Sequence, residues 1–453
     1  MGALLRAASG GVLEAALEVL ERRLDASSSA PVVTAFSGGG DSLALLLAAR
    51  AFARRSGRPL IAVHVDHGLQ SSSGFWADDA EAVAGRLGVP FVRRAWTGAK
   101  PLTGLPAAAR TARHQLIAEA CRELGASVAL VGHTFDDQLE NVLMRDTGAP
   151  LGPLREWTPS PVWPEGRGVF LCRPLLAARR ADIRHWLAAQ GLTWLDDPAN
   201  DDPRYARTLA RQALAKGAQA LPGQEIDLSP LASLWRVTPW GGVVLDRQGL
   251  LRAAPDQAVR LLQMSIACAS GSPGPARQGR ASRILARLLQ GEGFAASLGG
   301  ARIEAGADEV AVEREAGEAD RGGLRPIVLA AGQTQVWDGR FEVSTGREPA
   351  RIEALRGQAG RLDPRDRAAV LSVAASARPG LPVFRSMGID DAPRLALAGP
   401  GAHVGNNSVR CRALCEARLA SANGLVTREA DIWPLARMAK SPPPPYVVAG
   451  SKD

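Results

Sequence analysis

The chain has 453 residues, of which 46% are hydrophobic and 22% are charged. These proportions are typical of a globular protein and exclude an intrinsically disordered one, and the length predicts two to four domains. The net charge of +8 is carried almost entirely by Arg. It permits a polyanionic partner without proving one.

Five cysteines in so long a chain, an odd number, indicate free thiols in a reducing compartment. Cys411 and Cys415 are four residues apart and could meet on a helix face, but no histidine cluster completes a zinc site. Residues 1–24 predict an amphipathic helix rather than a signal peptide, and no apolar run is long enough to span a bilayer. We therefore expect a cytoplasmic protein without a membrane partner.

Short apolar runs alternate with helical stretches through the first half of the chain. The predicted strands are residues 32–36, 60–65, 90–94 and 128–131, and the predicted helices between them are residues 43–55, 75–87 and 107–124. This alternation predicts an α/β fold, with a parallel sheet flanked by helices. Ligands of such sheets bind beyond the carboxyl ends of the strands.

A glycine-rich hexapeptide joins the first predicted strand to the following helix. It consists of Ser37, Gly38, Gly39, Gly40, Asp41 and Ser42. Glycines at a strand-to-helix turn allow backbone N–H groups to surround an oxyanion, and the Asp41 carboxylate can hold Mg²⁺ beside it. A Walker loop would have Lys where Asp41 stands, and a dinucleotide loop would have its glycines spaced apart. The loop therefore predicts a phosphate or pyrophosphate site of another kind, although three glycines alone also fit an ordinary turn.

Two more polar clusters follow predicted strands. His64 and Asp66 end the second strand, and residues 132–141 follow the fourth. A single histidine such as His133 is more often a packed side chain than a functional one. The shared placement of these clusters at strand ends beside the glycine loop favours a common site.

The second cluster predicts the start of a helix. Thr134 and Asp137 have the spacing of a capping box, and the helix should continue to residue 144. Asp136, Asp137 and Glu140 then lie on adjacent turns. Such carboxylates repel one another unless a metal ion or an ammonium group lies between them. The alternative is a solvated acidic first turn that the helix dipole favours.

The second half of the chain is less informative. We place the end of the first domain at residue 216, followed by a mainly helical linker or nucleic-acid-binding domain over 217–293 with interspersed arginines. Residues 294–440 predict a small β-rich C-terminal domain, with strands at 309–313, 326–329, 335–343 and 381–384. Residues 441–453 contain four successive prolines and predict a flexible tail.

In order along the chain, several motifs resemble those of tRNA(Ile)-lysidine synthases, a family of the N-type ATP pyrophosphatase, or PP-loop, superfamily. Residues 37–42 resemble the superfamily's pyrophosphate loop, whereas residues 64–69 and 132–140 are similar to stretches more particular to the lysidine synthases. Residues 173–176 and 196–200 are similar to later family segments. The resemblance covers about half of the chain and implies an adenine nucleotide α-hydrolase-like fold.

Two positions depart from the family pattern. His114 stands where the family usually has Tyr, and Thr208 stands where it usually has Asn. The hydroxyl of Thr208 is shorter than an amide and has fewer donors, which puts one hydrogen bond in doubt.

The resemblance implies that ATP adenylates the C2 oxygen of the wobble cytidine in an isoleucine tRNA with the anticodon CAU, and that L-lysine then displaces AMP. The loop of residues 37–42, with His64 and Asp66, is assigned to ATP, and Asp41 and Asp136 to Mg²⁺. The catalytic assignments are Asp41, His133, Asp137, Glu140, Arg113 and Arg207. Asp137 and Glu140 would bind the lysine ammonium and help to deprotonate it, while His133 would assist and the arginines would balance phosphate or developing charge.

Two other functions stay open from the residues. A PP-loop tRNA thiolase would be expected to carry cysteine pairs, whereas Cys121 and Cys172 are isolated. A protein that binds ATP and RNA without catalysis would not need the carboxylates. The sequence predicts no oligomeric state.

Overall fold

The computed structural model describes residues 11–69, 73–149, 151–196, 206–222, 226–291, 293–319, 323–387, 392–397, 403–404 and 407–432. The chain divides into two compact units, Met1–Glu225 with Val426–Ile432, and Ile226–Leu425 with Trp433–Asp453. The first ten residues of the predicted N-terminal helix, the family segment at 197–200 and the predicted tail lie outside the described residues. No helix in the described ranges is long and apolar enough to cross a membrane.

The first unit contains a six-stranded sheet with helices around it. The helices are α1 (Val12–Arg23), α2 (Gly40–Ser56), α3 (Ser73–Arg86), α4 (Leu105–Glu123), α5 (Phe135–Asp146), α6 (Arg180–Ala189) and α7 (Ala206–Ala215). The strands are β1 (Val32–Ala35), β2 (Leu60–Asp66), β3 (Phe91–Ala95), β4 (Val128–Leu130), β5 (Trp157–Pro159) and β6 (Phe170–Cys172).

The strand order of this sheet is β3-β2-β1-β4-β6-β5. All neighbouring strands are parallel except β5, which pairs antiparallel with β6 at one edge. The predicted parallel sheet flanked by helices is confirmed, because the apolar runs of β1 and β4 are buried between helices. Strand β1 has β2 on one side and β4 on the other, so the connections reverse direction there. A crevice opens at such a switch point, and ligands bind in it.

The second unit is built mainly of antiparallel sheets. Its strands are β7 (Trp235–Val237), β8 (Val243–Asp246), β9 (Phe294–Leu298), β10 (Ala301–Ala305), β11 (Glu309–Arg314), β12 (Ile327–Leu329), β13 (Thr334–Trp337), β14 (Phe341–Ser344), β15 (Ala350–Ala354), β16 (Pro382–Ser386), β17 (Arg394–Leu395), β18 (His403–Val404), β19 (Asn407–Ser408) and β20 (Arg410–Ala413). Its helices are α8 (Arg247–Arg252), α9 (Pro255–Ser270), α10 (Gln278–Leu289), α11 (Pro364–Leu371) and α12 (Cys415–Ala422).

One sheet of this unit crosses the domain boundary that the sequence predicts at residue 293. Strands β7 and β8 join β9, β10 and β11 in one sheet of order β7-β8-β11-β10-β9. Leu261 of α9 and Ile303 of β10 belong to one buried core, which also includes Leu419 of α12. The boundary placed at residue 293 therefore falls inside a single core. Smaller sheets, β12-β15-β16-β17, β13-β14-β20 and β18-β19, complete the β-rich region.

The cysteines are free thiols, as predicted. Cys411 and Cys415 do not share a helix face, because Cys411 lies on β20 and Cys415 begins α12. Cys415 instead lies in the buried core that also contains Cys268 of α9.

Candidate active site

The two serine hydroxyl groups of the glycine loop, residues 37–42, form hydrogen bonds within the loop. Ser42 Oγ donates to the carbonyl of Gly39 at 2.8 Å and lies 3.1 Å from Ser37 Oγ. Gly39 is the N-cap of α2, and no side chain caps the first amides of this helix. Uncapped amides at the positive end of a helix dipole are groups suited to an anion, as the sequence predicts for this loop.

A later segment of the chain packs directly on the loop. The N–H of Leu195 donates to the carbonyl of Gly38 at 3.1 Å. A Cβ on Gly38 would lie 2.9 Å from Leu195 Cδ1, and one on Gly40 would lie 3.3 Å from the ring of Trp194. Two of the three glycines therefore allow this close packing.

The second polar cluster lies against the loop. A Cβ on Gly132, just after β4, would lie 3.2 Å from the carbonyl oxygen of Asp41. This close approach is the meeting of strand ends that the sequence predicts. The ring of His64 also contacts the start of the loop, since its Nδ1 donates to the carbonyl of Phe36 at 2.9 Å. Asp66 forms an ion pair with Arg93 of the neighbouring strand β3, whose Nη2 lies 3.1 Å from its Oδ2.

One arginine joins the carboxylates of the site. Arg180, the first residue of α6, donates from Nε to Asp41 Oδ2 at 3.2 Å, from Nη1 to Glu140 Oε1 at 3.0 Å and from Nη2 to Asp137 Oδ1 at 3.0 Å. Burial alone would lower the pKa of Arg180, but the three carboxylates outweigh it and raise the pKa above its usual value. The guanidinium is therefore charged, and each of its nitrogens binds a different carboxylate.

Two further arginines, both on α7, bind Glu140. Arg211 Nε donates to its Oε1 at 2.7 Å, and Arg207 Nε lies 2.9 Å from its Oε2 at an angle too poor for a hydrogen bond. The side chain of Glu140 is 1% exposed. Three guanidinium groups thus balance the three carboxylates of Asp41, Asp137 and Glu140.

Asp137 also caps the helix on which it lies. Its Oδ2 accepts from the backbone N–H of Thr134 at 2.6 Å and from the hydroxyl of Thr134 at 2.9 Å. The capping box predicted from the sequence is confirmed. The other carboxylate oxygen, Oδ1, is left to face Arg180 and the site.

The two carboxylates predicted to hold Mg²⁺ differ in their surroundings. Asp136 accepts from the backbone N–H of Arg180 at 2.7 Å and lies 3.0 Å from Nη2 of Arg179. Asp41 uses Oδ2 for Arg180, and within the described ranges its Oδ1 has no protein partner. Those ranges contain no group of three or more side chains suited to a metal. Since Mg²⁺ needs only one or two carboxylates beside phosphate oxygens, Asp41 fits that ion, and Asp136 is already occupied.

A positively charged group lies beside the carboxylates. Arg110 and Arg113 of α4 form no ion pair or side-chain hydrogen bond among the residues that the structure covers, although the charge of Asp137 attracts both. Burial lowers the pKa of Arg113 to about 10, and repulsion from Arg110 and Arg207 adds to this shift. Guanidinium groups brought together without a counter-ion favour binding of an anion.

His133 is held in one tautomer by a buried arginine. Arg173 donates from Nε to His133 Nδ1 at 3.1 Å, so Nδ1 is an acceptor and the proton lies on Nε2. Burial, followed by repulsion from Arg173, Arg113 and Arg110, holds the pKa of His133 well below its usual value. The imidazole is neutral and presents an N–H donor.

The two departures from the family pattern are both buried. His114 is 3% exposed and Thr208 is 5% exposed. Neither ring nitrogen of His114 has a hydrogen-bond partner in the part of the chain described. Burial lowers the pKa of His114 to about 2, with repulsion from Arg113 and Arg110.

Arg180 was not predicted from the sequence at all, and Arg110, Arg173 and Arg211, which lie in segments that resemble the family, were assigned no role. For Arg180 a signal was present: Arg179 and Arg180 stand at the N-terminus of a helix, where the helix dipole disfavours cations. A residue that violates a local preference often has a tertiary or functional partner. Here the partners are the carboxylates of Asp41, Asp137 and Glu140.

Comparison with known proteins agrees with the fold and the loop. Residues 14–218 match the family described as PP-loop domain. The tRNA(Ile)-lysidine synthase of Caulobacter vibrioides is 45% identical over 410 residues, which cover 90% of this chain and 97% of the relative. The chain belongs to the tRNA(Ile)-lysidine synthase family. The tRNA(Ile)-lysidine synthase of Hyphomonas neptunium is 35% identical over 324 residues, which cover 67% of this chain and 86% of the relative.

Solved structures resemble the chain less closely. A U34-tRNA thiolase from Methanococcus maripaludis with a [4Fe-4S] cluster has a TM-score of 0.36 and 16% identity, and the match covers 45% of this chain and 71% of that one.

Proposed function

We propose that the protein joins L-lysine to C2 of the wobble cytidine in the isoleucine tRNA whose anticodon is CAU. In the first step the C2 oxygen attacks the α-phosphorus of ATP and pyrophosphate leaves. In the second step the side-chain amine of lysine attacks C2 and AMP leaves, giving lysidine. Such a reaction uses ATP, lysine and tRNA, so we also propose the cytoplasm as its place.

The observation that carries this proposal is the separation of charge at the crevice beside β1 and β4. The uncapped start of α2 and the unpaired guanidinium groups of Arg110 and Arg113 suit phosphate groups. The carboxylates of Asp137 and Glu140 suit an ammonium group. A ligase that must hold a nucleotide and an amine together needs both kinds of site.

In the first step the main task is to stabilise the leaving pyrophosphate. The amides that begin α2 would donate to its oxygens. Mg²⁺ bound at Asp41 would neutralise charge that develops on it. Arg113, with Arg110 beside it, would bind the phosphate of the adenylated cytidine.

In the second step lysine must lose a proton before it attacks. Because the ordinary pKa of its amine is about 10.4, the neutral amine is scarce near pH 7. Asp137 and Glu140 would hold the ammonium and accept its proton as the new bond forms. His133 is better suited to another task, since its Nδ1 accepts from Arg173 and its Nε2 can only donate. We therefore propose that His133 donates a hydrogen bond to substrate.

The cysteines do not support the thiolase alternative. Cys121 and Cys172 are the two cysteines of the first unit, and they lie on different elements, α4 and β6. Burial raises the pKa of each thiol to about 12, so neither forms a thiolate near neutral pH.

The proposal is tested by incubating the protein with ATP, Mg²⁺, labelled lysine and the isoleucine tRNA bearing CAU. We expect label to become bound to the tRNA and AMP to be released in equal amount. No transfer by the folded protein would refute the proposal.

Asp137→Asn tests the two steps separately. Its amide oxygen can still cap α5, while the negative charge is lost. We expect this variant to release pyrophosphate from ATP in the presence of tRNA and to transfer lysine at least 100-fold more slowly, roughly the contribution of a general base. Equal loss of both steps would show that Asp137 is not specific to lysine.

A further inference from the structure

Arg180 occupies the place where the proposed function requires lysine. Its guanidinium lies among Asp41, Asp137 and Glu140, and each contact is 3.0 to 3.2 Å long. The side chain of Arg180 is 17% exposed, and that of Asp137 is 7% exposed. A second cation cannot reach the same oxygens while this guanidinium stays there.

The charges lead to the same conclusion. The three carboxylates already face Arg180, Arg207 and Arg211, so the site has no net negative charge to attract an ammonium group. Asp137 faces Arg180 at 3.0 Å and Arg207 at a longer 3.5 Å. Within the described ranges, removing Arg180 would leave Asp137 with Arg207 at 3.5 Å as its ion-pair partner and would free Oδ2 of Asp41.

Arg180 has another partner within reach when a nucleotide is bound. It begins α6, its backbone is fixed by the bond from its N–H to Asp136, and its Nε contacts Asp41 in the glycine loop. Phosphate oxygens bound at the loop would lie beside that contact. A guanidinium group binds phosphate through two parallel hydrogen bonds, at least as well as it binds a carboxylate.

We propose that Arg180 exchanges partners when ATP binds: it leaves the carboxylates for the phosphates, and Asp137 and Glu140 become available to lysine. This inference rests on the proposed function, because it takes ATP and lysine as the ligands. It adds a coupling between the two sites, in which ATP raises the affinity for lysine and lysine raises the affinity for ATP by the same factor. Lysine is thereby kept from the site until a nucleotide is present.

The coupling can be measured by titrating the full-length protein with L-lysine in a calorimeter. One titration contains no nucleotide, and the other contains Mg²⁺ and α,β-methylene-ATP, whose α–β bond cannot be cleaved in the first step. For the unsubstituted protein we expect lysine to bind roughly 5- to 150-fold more tightly with the analogue, the usual range for coupled sites. For Arg180→Met we expect tighter binding without nucleotide and a ratio near one.

Arg184→Met is the matched control. Arg184 lies one turn further along α6 and pairs with Asp196 at 3.2 Å, where the two side chains are 51% and 70% exposed. The substitution removes the same charge from the same helix, and the ratio should stay that of the unsubstituted protein. Arg180→Lys serves if Arg180→Met does not fold, because its single ammonium cannot bind three carboxylates, and it should reduce the ratio.

The outcomes separate the two proposals. If the unsubstituted protein neither binds lysine nor transfers it to tRNA, the proposed function fails. If it transfers lysine but the ratio is near one, or if the Arg180 variants keep the full ratio, only the exchange by Arg180 is refuted.

Discussion

Gly38 and Gly39 of the loop differ in whether the fold itself requires glycine. Gly38 has a φ of +88°, a backbone conformation that side chains disfavour, and its missing Cβ leaves room for Leu195. Gly39 has a φ of −72°, and a Cβ there would meet its nearest neighbour at 3.6 Å, an ordinary contact. The fold therefore requires glycine at position 38, whereas at position 39 only a close ligand would require it.

This difference predicts opposite results for two alanine substitutions. Gly38→Ala should destabilise the protein by about 1 to 3 kcal/mol, because it forces a left-handed residue and displaces Leu195. Gly39→Ala should fold normally and bind ATP at least tenfold more weakly, because its methyl group would lie where a phosphate approaches the backbone. Thermal unfolding and ATP titration of both variants check this.

Gly57→Ala is the control for the first variant. Its φ is +73° with no atom near the added Cβ, so it adds the backbone cost without the contact. If Gly39→Ala binds ATP as tightly as the unsubstituted protein, the phosphate does not lie against this part of the loop.

At the scale of elements, local sequence signals were sufficient to predict the fold of the first unit. Strand ends, the glycine loop and the capping box of α5 depend on neighbouring residues, so the fold of the first unit and the acidic part of the site could be predicted. Arg180 could not be assigned a role, because it reaches Glu140 from a helix 40 residues away. Edge strand β5 has three residues, and its antiparallel direction is set by its pairing with β6.

One prediction in the second unit is wrong although its signal is local. Residues 335–343 were expected to form a single strand, but β13 and β14 form a hairpin there. Asp338 and Gly339 both have positive φ, 51° and 65°. The Asp-Gly pair is a known hairpin signal, and the β-forming residues around it obscured the turn.

His114 on helix α4 makes the free energy of unfolding depend on pH. His114 is neutral in the folded protein because its pKa is lowered to about 2, whereas in the unfolded chain it takes up a proton near pH 6.5. The unfolded state therefore binds more protons below pH 6.5, and the free energy of unfolding falls as the pH decreases through that range. His64 and His133, whose pKa values are also lowered, act in the same direction.

His114→Gln should make the protein less sensitive to acid. The amide keeps the polar character of the site but cannot titrate, so the decrease in unfolding free energy between pH 6 and pH 5 should be smaller by about 1 kcal/mol. Urea unfolding followed by circular dichroism at several pH values measures this. His185→Gln, at an exposed position on α6, is the control, and an equal effect of the two substitutions would contradict the assignment to His114.

At the scale of the whole molecule, the C-terminal part of the chain completes the first unit. Val426–Ile432 belongs to that unit, although the 200 residues before it, Ile226–Leu425, form the second. Glu429 and Arg58 form two hydrogen bonds of 2.6 and 2.9 Å, and each side chain is 1% exposed. The carboxylate also accepts from the backbone N–H of Asp25 at 3.0 Å and from Ser127 Oγ at 3.2 Å. The stability of the PP-loop unit therefore depends on a residue far outside the PP-loop sequence.

Glu429→Ala should destabilise the first unit by about 3 to 5 kcal/mol, because it leaves the buried guanidinium of Arg58 without a counter-ion. Glu416→Ala, an exposed position on α12, should change the stability by less than about 0.5 kcal/mol. Thermal unfolding and limited proteolysis of the two variants give the comparison, and equal stability would show that the buried pair contributes little. The double variant Arg58→Met, Glu429→Leu distinguishes the lost charge balance from lost packing. If the unpaired charge is the main cost, the double variant should be more stable than Glu429→Ala, since replacing both partners leaves no buried charge uncompensated.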